Sequence, residues 1–381
     1  MEKRVFITVI VLGLIILSIG VPILSAQTQI ILPQNHAMFI STNIQERIDM
    51  LIFISPQYSY DTEITTTINT YINTVKEDLS WNSKIISIQQ KNNNYKKIDQ
   101  TIEQYYSLYH IKACIMVGED IDTPLAGDCD YMEKPSTVPW STVGGEAAYE
   151  ISERGVVSKP YTTDICISLL YPTHALDYQT KKSQIIYAFN KFSINRNSYL
   201  EDMLVFESSD LNKNSKDIYQ SLSGYGNSYY FEDPSDLEVK TSLSKAYSMY
   251  YVHGHSNPSG TDINASKGGW FSADNIDQLD TPFFGADGCY VNGWWSDQTD
   301  NNTLDPSIEC TWYGSKIFTS KNVKAMSLGL LSQNGFSDPV SFIENALPDL
   351  LEGKTLAESM IKDTSLGNTI IIGDPTFHFV L

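Results

Sequence analysis

A cysteine and a histidine stand at the ends of two apolar segments of the 381-residue chain. His253 follows Met249-Tyr250-Tyr251-Val252, and Cys289 follows the segment from Pro282 to Gly288. A thiol becomes a strong nucleophile only as the thiolate, and a neighbouring imidazole can accept its proton. The two residues together predict covalent catalysis by a cysteine that a histidine activates.

Glycines flank both residues and support this interpretation. Gly254 follows the histidine and Gly288 precedes the cysteine. Glycine lets a bound ligand approach the backbone closely. We therefore expect the backbone N–H groups of Gly254 and Cys289 to form an oxyanion hole.

A structural role is the alternative for each residue. Cysteine is often a small core residue, but a core cysteine should lie inside an apolar strand, as Cys114 and Cys166 do. Cys289 lies instead between a glycine and a polar stretch, which favours catalysis. His253, taken alone, could equally be a turn or core histidine.

His253 and His255 also form a His-x-His pair, which can chelate a metal ion. A metal-dependent hydrolase needs further ligands close by. The chain has six histidines and only these two are clustered. A metal site is therefore the lesser hypothesis, and His255 is expected to support the site or the fold.

Apolar runs and helical spacings alternate along the chain and predict the elements that position these residues. Predicted strands cover residues 50–54, 85–88, 112–117, 164–170, 203–206, 247–252, 281–286, 323–328 and 370–372. Predicted helices cover residues 64–79, 98–109, 185–192, 218–222 and 342–351.

This alternation is typical of an α/β protein whose mostly parallel sheets are flanked by helices. Ligands bind such sheets at the carboxyl ends of the strands, where the strands before His253 and Cys289 would present them side by side. The polar stretch 195–198 predicts a boundary between subdomains 27–196 and 197–381. The loop-like segment 120–159 is predicted to be a surface excursion.

The first 26 residues read as a secretory signal, with a basic start, an apolar run at residues 5–24 and small residues for cleavage. The run is also long enough to cross a bilayer, so an uncleaved membrane anchor is the alternative. In either case the rest of the chain is expected to be secreted or at the extracellular face of the membrane.

Composition narrows the class of protein. Hydrophobic residues make up 42% of the chain and charged residues 19%, which is typical of a globular protein. The net charge of −19 argues against a nucleic-acid partner, because like charges repel. Five cysteines leave at least one thiol unpaired, while Cys129 and Cys310 could pair with each other.

Four motifs resemble the gingipain family of cysteine peptidases, which belongs to the caspase-like clan. Gly288-Cys289-Tyr290-Val291-Asn292-Gly293 resembles the nucleophile segment of the family, and Val252-His253-Gly254-His255-Ser256 resembles its histidine turn. Met116-Val117-Gly118-Glu119 and Ile372-Gly373-Asp374-Pro375-Thr376 resemble two further family segments. The resemblance spans roughly residues 50–381.

The resemblance implies a caspase–haemoglobinase-like fold with two side-by-side subdomains, and a cysteine endopeptidase acting on protein or peptide substrates. It implies that Asp210, or in second place Glu207, orients the imidazole. Asp217 would lie at the base of the primary specificity pocket. Trp294 and Trp295, a departure from the family, would either wall the cleft or pack in the core.

No cofactor is required for this chemistry, although the resemblance allows a structural calcium ion among the acidic loops. The acidic residues around the cysteine segment are Asp274, Asp277, Asp280, Asp297, Asp300 and Asp305. Two other functions stay open. One is a catalytically inactive relative that serves as a surface binding or secretion-assembly module, and the other is a transpeptidase with the same dyad.

Overall fold

The structure is a computed structural model. It describes residues 29–31, 37–39, 46–89, 95–119, 121, 125–127, 133–135, 137–143, 163–173, 176–211, 222, 224–257, 259–264, 267–288, 312–329, 346–361 and 369–380. The chain forms two compact units, residues 1–46 and residues 47–381. In the first unit, strands β1 (Gln29–Ile31) and β2 (Ala37–Phe39) pair antiparallel.

The described residues of the second unit form both strands and helices. Its strands are β3 (Met50–Ile54), β4 (Ser83–Ser87), β5 (Ala113–Val117), β6 (Leu125–Gly127), β7 (Glu133–Pro135), β8 (Cys166–Leu170), β9 (Ser198–Tyr199), β10 (Asp202–Glu207), β11 (Asn227–Glu232), β12 (Met249–His253), β13 (His255–Asn257), β14 (Gly260–Asn264), β15 (Gly269–Ser272), β16 (Phe283–Asp287), β17 (Ala325–Leu328), β18 (Ile370–Gly373) and β19 (Phe379–Val380). Its α-helices are α1 (Thr62–Leu79), α2 (Tyr95–Tyr109), α3 (Val138–Ser141), α4 (Tyr178–Ser193), α5 (Asp236–Leu243), α6 (Leu347–Leu351) and α7 (Leu356–Met360), and 3₁₀ helices cover Ser209–Leu211, Ala273–Gln278 and Tyr313–Phe318.

Ten of the described strands form one sheet in the order β11-β10-β12-β16-β17-β18-β8-β5-β3-β4. All neighbours in this sheet are parallel except β17 and β18. Strands from before residue 196 form one half, strands from after it form the other, and the β18–β8 pair joins them. The predicted α/β class with mostly parallel strands is confirmed.

The helices begin and end where local chemistry dictates. The side chain of Asp61 accepts hydrogen bonds from two free N–H groups at the start of α1, and Ser80 ends that helix in the left-handed conformation. Ile64, Ile68 and Val75 recur on one buried face. That face packs against α4, and each such buried side chain contributes about 1.5–3 kcal/mol of hydrophobic stabilisation.

The Gly-Asp-Pro-Thr motif near the carboxyl terminus is a buried polar junction. The carboxylate of Asp374 accepts hydrogen bonds from the Tyr71 hydroxyl at 2.7 Å and from Arg196 Nη1 at 3.0 Å. The hydroxyl of Thr376 also donates to it, at 2.6 Å. The motif therefore ties the segment after β18 to α1 and to the residues that follow α4.

A small antiparallel sheet, β13-β14-β15, continues directly from the end of β12. Opposed residues in such a sheet share a face. Ser256, Thr261 and Phe271 form the inner row, in which Thr261 and Phe271 are fully buried. His255, Asp262 and Trp270 form the outer row, in which His255 and Trp270 are exposed.

Two sequence expectations about these elements need correction. The predicted strands 203–206, 247–252 and 281–286 each end one residue too early, because the hydrogen-bonded ladder includes the polar residues Glu207, His253 and Asp287. The segment 120–159 is not wholly on the surface. Trp140 within it is completely buried, and its indole N–H donates to the carbonyl of Tyr95 at 3.2 Å.

Candidate active site

His253 is the last residue of β12 and lies in register between Glu207 on β10 and Asp287 on β16. Only 2% of its surface is exposed. The imidazole Nδ1 lies 2.9 Å from Glu207 Oε1. Since parallel strands in register direct matched side chains to the same face, the sheet itself holds the carboxylate against the imidazole.

Glu207 is held on its other side as well. The Tyr230 hydroxyl donates to Glu207 Oε2 at 2.7 Å, and Glu207 itself is fully buried. An ionised carboxylate only accepts hydrogen bonds, so we assign the proton to Nδ1 of His253. This tautomer leaves the lone pair on Nε2, the nitrogen that a general base requires.

The prediction that Asp210 orients the catalytic histidine is corrected by this arrangement. Asp210 Oδ2 lies 2.8 Å from Nε2 of His255, an exposed ring on the outer row. The reason is register. Glu207 ends the strand beside His253, whereas Asp210 lies three residues further along, in the 3₁₀ turn.

Gly254 and Gly288 are required by close packing between chain segments. A Cβ atom on Gly254 would lie closer than 3.0 Å to the carbonyl oxygen of Asp262, and one on Gly288 would clash equally with Ser256 and with the carbonyl of Gly254. The chain that leaves β16 therefore passes directly against the turn that follows His253. Cys289 is the next residue, and it lies outside the described residues.

The predicted oxyanion role of Gly254 also needs correction. Its N–H donates to the carbonyl of Asp287 at 3.2 Å, which extends the β12–β16 pairing by one bond. That donor is already used, so it does not point at a ligand. The second predicted donor, the N–H of Cys289, lies outside the described residues.

Asp287 is a buried carboxylate that the sequence analysis did not identify as part of the site. It is 2% exposed, and the Tyr251 hydroxyl hydrogen-bonds to its Oδ2. The missing side chain of Gly285 makes room for the Tyr251 ring. Burial, and then the charges of Asp287 and Glu207, raise the pKa of Tyr251 well above its usual value. The available sequence signal was the spacing of Tyr251 and His253, which are two residues apart on β12 and therefore lie on the same face of the sheet.

Several predicted positions lie outside the described residues, namely Asp217, Trp294, Trp295, Cys129, Cys310, the run 5–24 and the acidic residues Asp297, Asp300 and Asp305. Asp274 and Asp277 both bind Lys316, at 2.5 Å and 3.2 Å. Within the described part of the chain, no three His, Cys, Asp or Glu side chains cluster as metal ligands. No helix of that part is long and apolar enough to cross a membrane.

The two core cysteines are confirmed as buried free thiols. Burial raises the pKa of Cys166 to about 12 and that of Cys114 well above its usual value. A thiol becomes reactive when its pKa is lowered, so neither is suited to act as a nucleophile.

Three solved structures share this fold. Gingipain R, an Arg-specific cysteine proteinase, superposes with a TM-score of 0.59 at 13% identity over 90% of this chain and 80% of that one. The complex of the Porphyromonas gingivalis RgpB pro- and mature domains gives 0.54 at 12% identity over 87% and 79%. A structure described as a protease gives 0.57 at 11% identity over 87% and 78%.

No protein-family model and no curated protein matches the sequence. The three superpositions show that the fold is the caspase-like fold of gingipain, as the motif resemblance implied.

Proposed function

We propose that the protein is an exported cysteine endopeptidase in which Cys289 is the nucleophile and His253 its base. The observation that carries the proposal is the contact between Gly288 and Gly254. Each glycine is bonded to one member of the proposed dyad, and the close approach of the two glycines supports pairing of Cys289 with His253. The gingipain fold supports the same reading.

The residues have distinct tasks in the proposed reaction. His253 Nε2 accepts the thiol proton, and the thiolate Sγ attacks the peptide carbonyl carbon to form a new S–C bond. The imidazolium then returns the proton to the amine nitrogen as the C–N bond breaks. Water hydrolyses the resulting thioester with the same histidine as base. Glu207 fixes the tautomer and stabilises the imidazolium, as the acid does in a serine protease triad.

The developing oxyanion needs donors other than Gly254, because its N–H is bonded to Asp287. The N–H of Cys289 is the remaining candidate from the sequence. Preorganised donors of this kind contribute about 2.7–4 kcal/mol each to lowering an activation barrier.

The first test is alkylation of the purified protein by iodoacetamide, with the modified peptide mapped by mass spectrometry. We expect Cys289 to react faster than a free thiol, and the excess rate to disappear in His253→Ala. His378→Ala is a matched control, because His378 is a largely buried histidine elsewhere in the fold. Reaction at the rate of a free thiol, unchanged by His253→Ala, would favour the inactive binding module.

A second measurement separates hydrolysis from transpeptidation. Peptide turnover with and without an added amine nucleophile gives the ratio of hydrolysed to aminolysed product. Product that stays mainly hydrolysed supports the endopeptidase, whereas capture of most acyl groups by the amine would favour the transpeptidase.

A further inference from the structure

The outer row of the small sheet, His255, Asp262 and Trp270, has one residue whose exposure is unusual. Trp270 is 46% exposed although it is a large aromatic side chain in a strand. Its indole lies across Gly260, where any Cβ atom would come closer than 3.0 Å to three ring atoms. One face of the ring therefore rests on the backbone of β14, and much of the rest of its surface is open to solvent.

Carboxylates accompany this open ring. Asp262 is directly opposite Trp270 on the same face of the sheet, and Asp262 is also opposite His255. His255 in turn binds Asp210 at 2.8 Å. An aromatic face beside carboxylates attracts cations, through the ring quadrupole and through charge. The net charge of −19 acts in the same direction.

The outer row lies within a few peptide residues of the proposed dyad. His255 is two residues from His253, and neighbouring strands are about 4.8 Å apart, so Trp270 is about 10 Å across the sheet from His255. An extended peptide advances about 3.3 Å per residue. The two residues from His253 to His255 add about 7 Å along the strand, so the ring lies about 12 Å from His253. A ligand side chain three or four residues from the bond being cleaved would therefore reach the ring.

We propose that Trp270 and Asp262 form a substrate subsite that binds a lysine or arginine side chain three or four residues from the scissile bond. This inference rests on the proposed endopeptidase function. The subsite is separate from any pocket for the residue whose carbonyl is attacked. It acts on binding, because it lies away from the reacting atoms.

The test uses peptides that differ at one position, with lysine or its uncharged analogue norleucine placed in turn at each of the four residues on either side of the cleaved bond. At one position we expect the lysine peptide to have a KM about threefold to tenfold lower, with kcat unchanged. Trp270→Ala should abolish the difference, while Trp270→Phe should keep part of it. Leu237→Ala removes an exposed apolar side chain on α5 and should change nothing.

Asp262→Asn separates charge from the ring. It should reduce the lysine preference and remove most of its dependence on salt. Equal KM values for lysine and norleucine at every position, or a preference that survives in Trp270→Ala, would overturn the subsite.

Binding of the same peptides to Cys289→Ala, followed by fluorescence anisotropy, keeps the two proposals apart. Absence of cleavage by the wild-type protein contradicts the endopeptidase. Lysine-selective binding that requires Trp270 would still support the subsite, and its absence would refute it.

Discussion

Replacement of Glu207 by glutamine is the sharpest perturbation that the site offers. The substitution keeps the shape of the side chain and removes its charge. If the new amide N–H₂ faces Nδ1 of His253, the imidazole must carry its proton on Nε2 and loses the base. If the amide oxygen faces Nδ1, the tautomer survives but the imidazolium loses its counter-charge. Both orientations therefore slow the reaction.

The magnitude follows from the hydrogen bond that is lost. The Nδ1–Oε1 distance of 2.9 Å joins two almost fully buried groups. A hydrogen bond to a charged group contributes about 1.5–3 kcal/mol. Since 1.4 kcal/mol is a factor of ten, we expect Glu207→Gln to slow the chemical step by about tenfold to 150-fold.

Asp210→Asn is the matched control, because it removes a carboxylate three residues away that binds the exposed ring of His255. An exposed pair contributes about 0.2–1 kcal/mol, so the rate should change by less than about fivefold. Tyr230→Phe frees the second oxygen of Glu207 and should lie between the two variants.

The assay is the second-order rate of Cys289 alkylation, which needs no knowledge of the natural substrate, together with kcat for a cleaved peptide. Circular dichroism and thermal melting must show that each variant is folded. An Asp210→Asn defect as large as that of Glu207→Gln would refute the assignment of Glu207 as the partner of His253.

Three further predictions test the surroundings. Asp374→Ala removes the charge that holds Arg196, and it should lower the free energy of unfolding by about 3 kcal/mol or more in denaturant titration; a loss below about 1 kcal/mol would contradict the buried junction. Burial lowers the pKa of Lys191 to about 7 from the usual 10.5, so the unfolded chain binds more protons between these values and stability should rise with pH across that window. Lys191→Met should flatten the rise, whereas parallel curves would exclude Lys191 as its cause. Gly288→Ala should slow alkylation of Cys289 about tenfold or more, because misplacing a reacting group by about 1 Å can lower a reaction rate about a hundredfold. Gly224→Ala is the control and should leave the rate unchanged, because a Cβ atom at Gly224 meets nothing within 4 Å.

Much of the fold could be predicted from the apolar runs and the spacing of apolar residues in the sequence alone. Strands such as β3 and β5 are continuous apolar runs, and the spacing from Ile64 to Val75 matches the buried face of α1. These signals are strong because the elements are buried on long continuous faces. The small sheet β13-β14-β15 gave no such signal, since its strands are short and contain no continuous apolar run like those of β3 and β5.

The candidate site was predicted only in part, for a reason of register. The end of an apolar run shows where a strand leaves the core. The hydrogen bonds between strands extend one residue further, to Glu207 on β10 and Asp287 on β16. The acidic residue beside His253 is set by the pairing of two strands that are far apart in sequence. A shift of one residue in that register would place a different residue beside His253. The use of the Gly254 N–H is likewise set by pairing with β16.

The place of β18 in the sheet has a consequence for the order in which the molecule can be assembled. This strand follows every other member of the ten-stranded sheet in the chain, yet it lies between β17 and β8, near the middle. While the chain emerges from the ribosome, the strands on either side of β18 can pair among themselves, but the strand that lies between β17 and β8 is made only at the end. The sheet should therefore close late, as one cooperative event that depends on contacts distant in sequence.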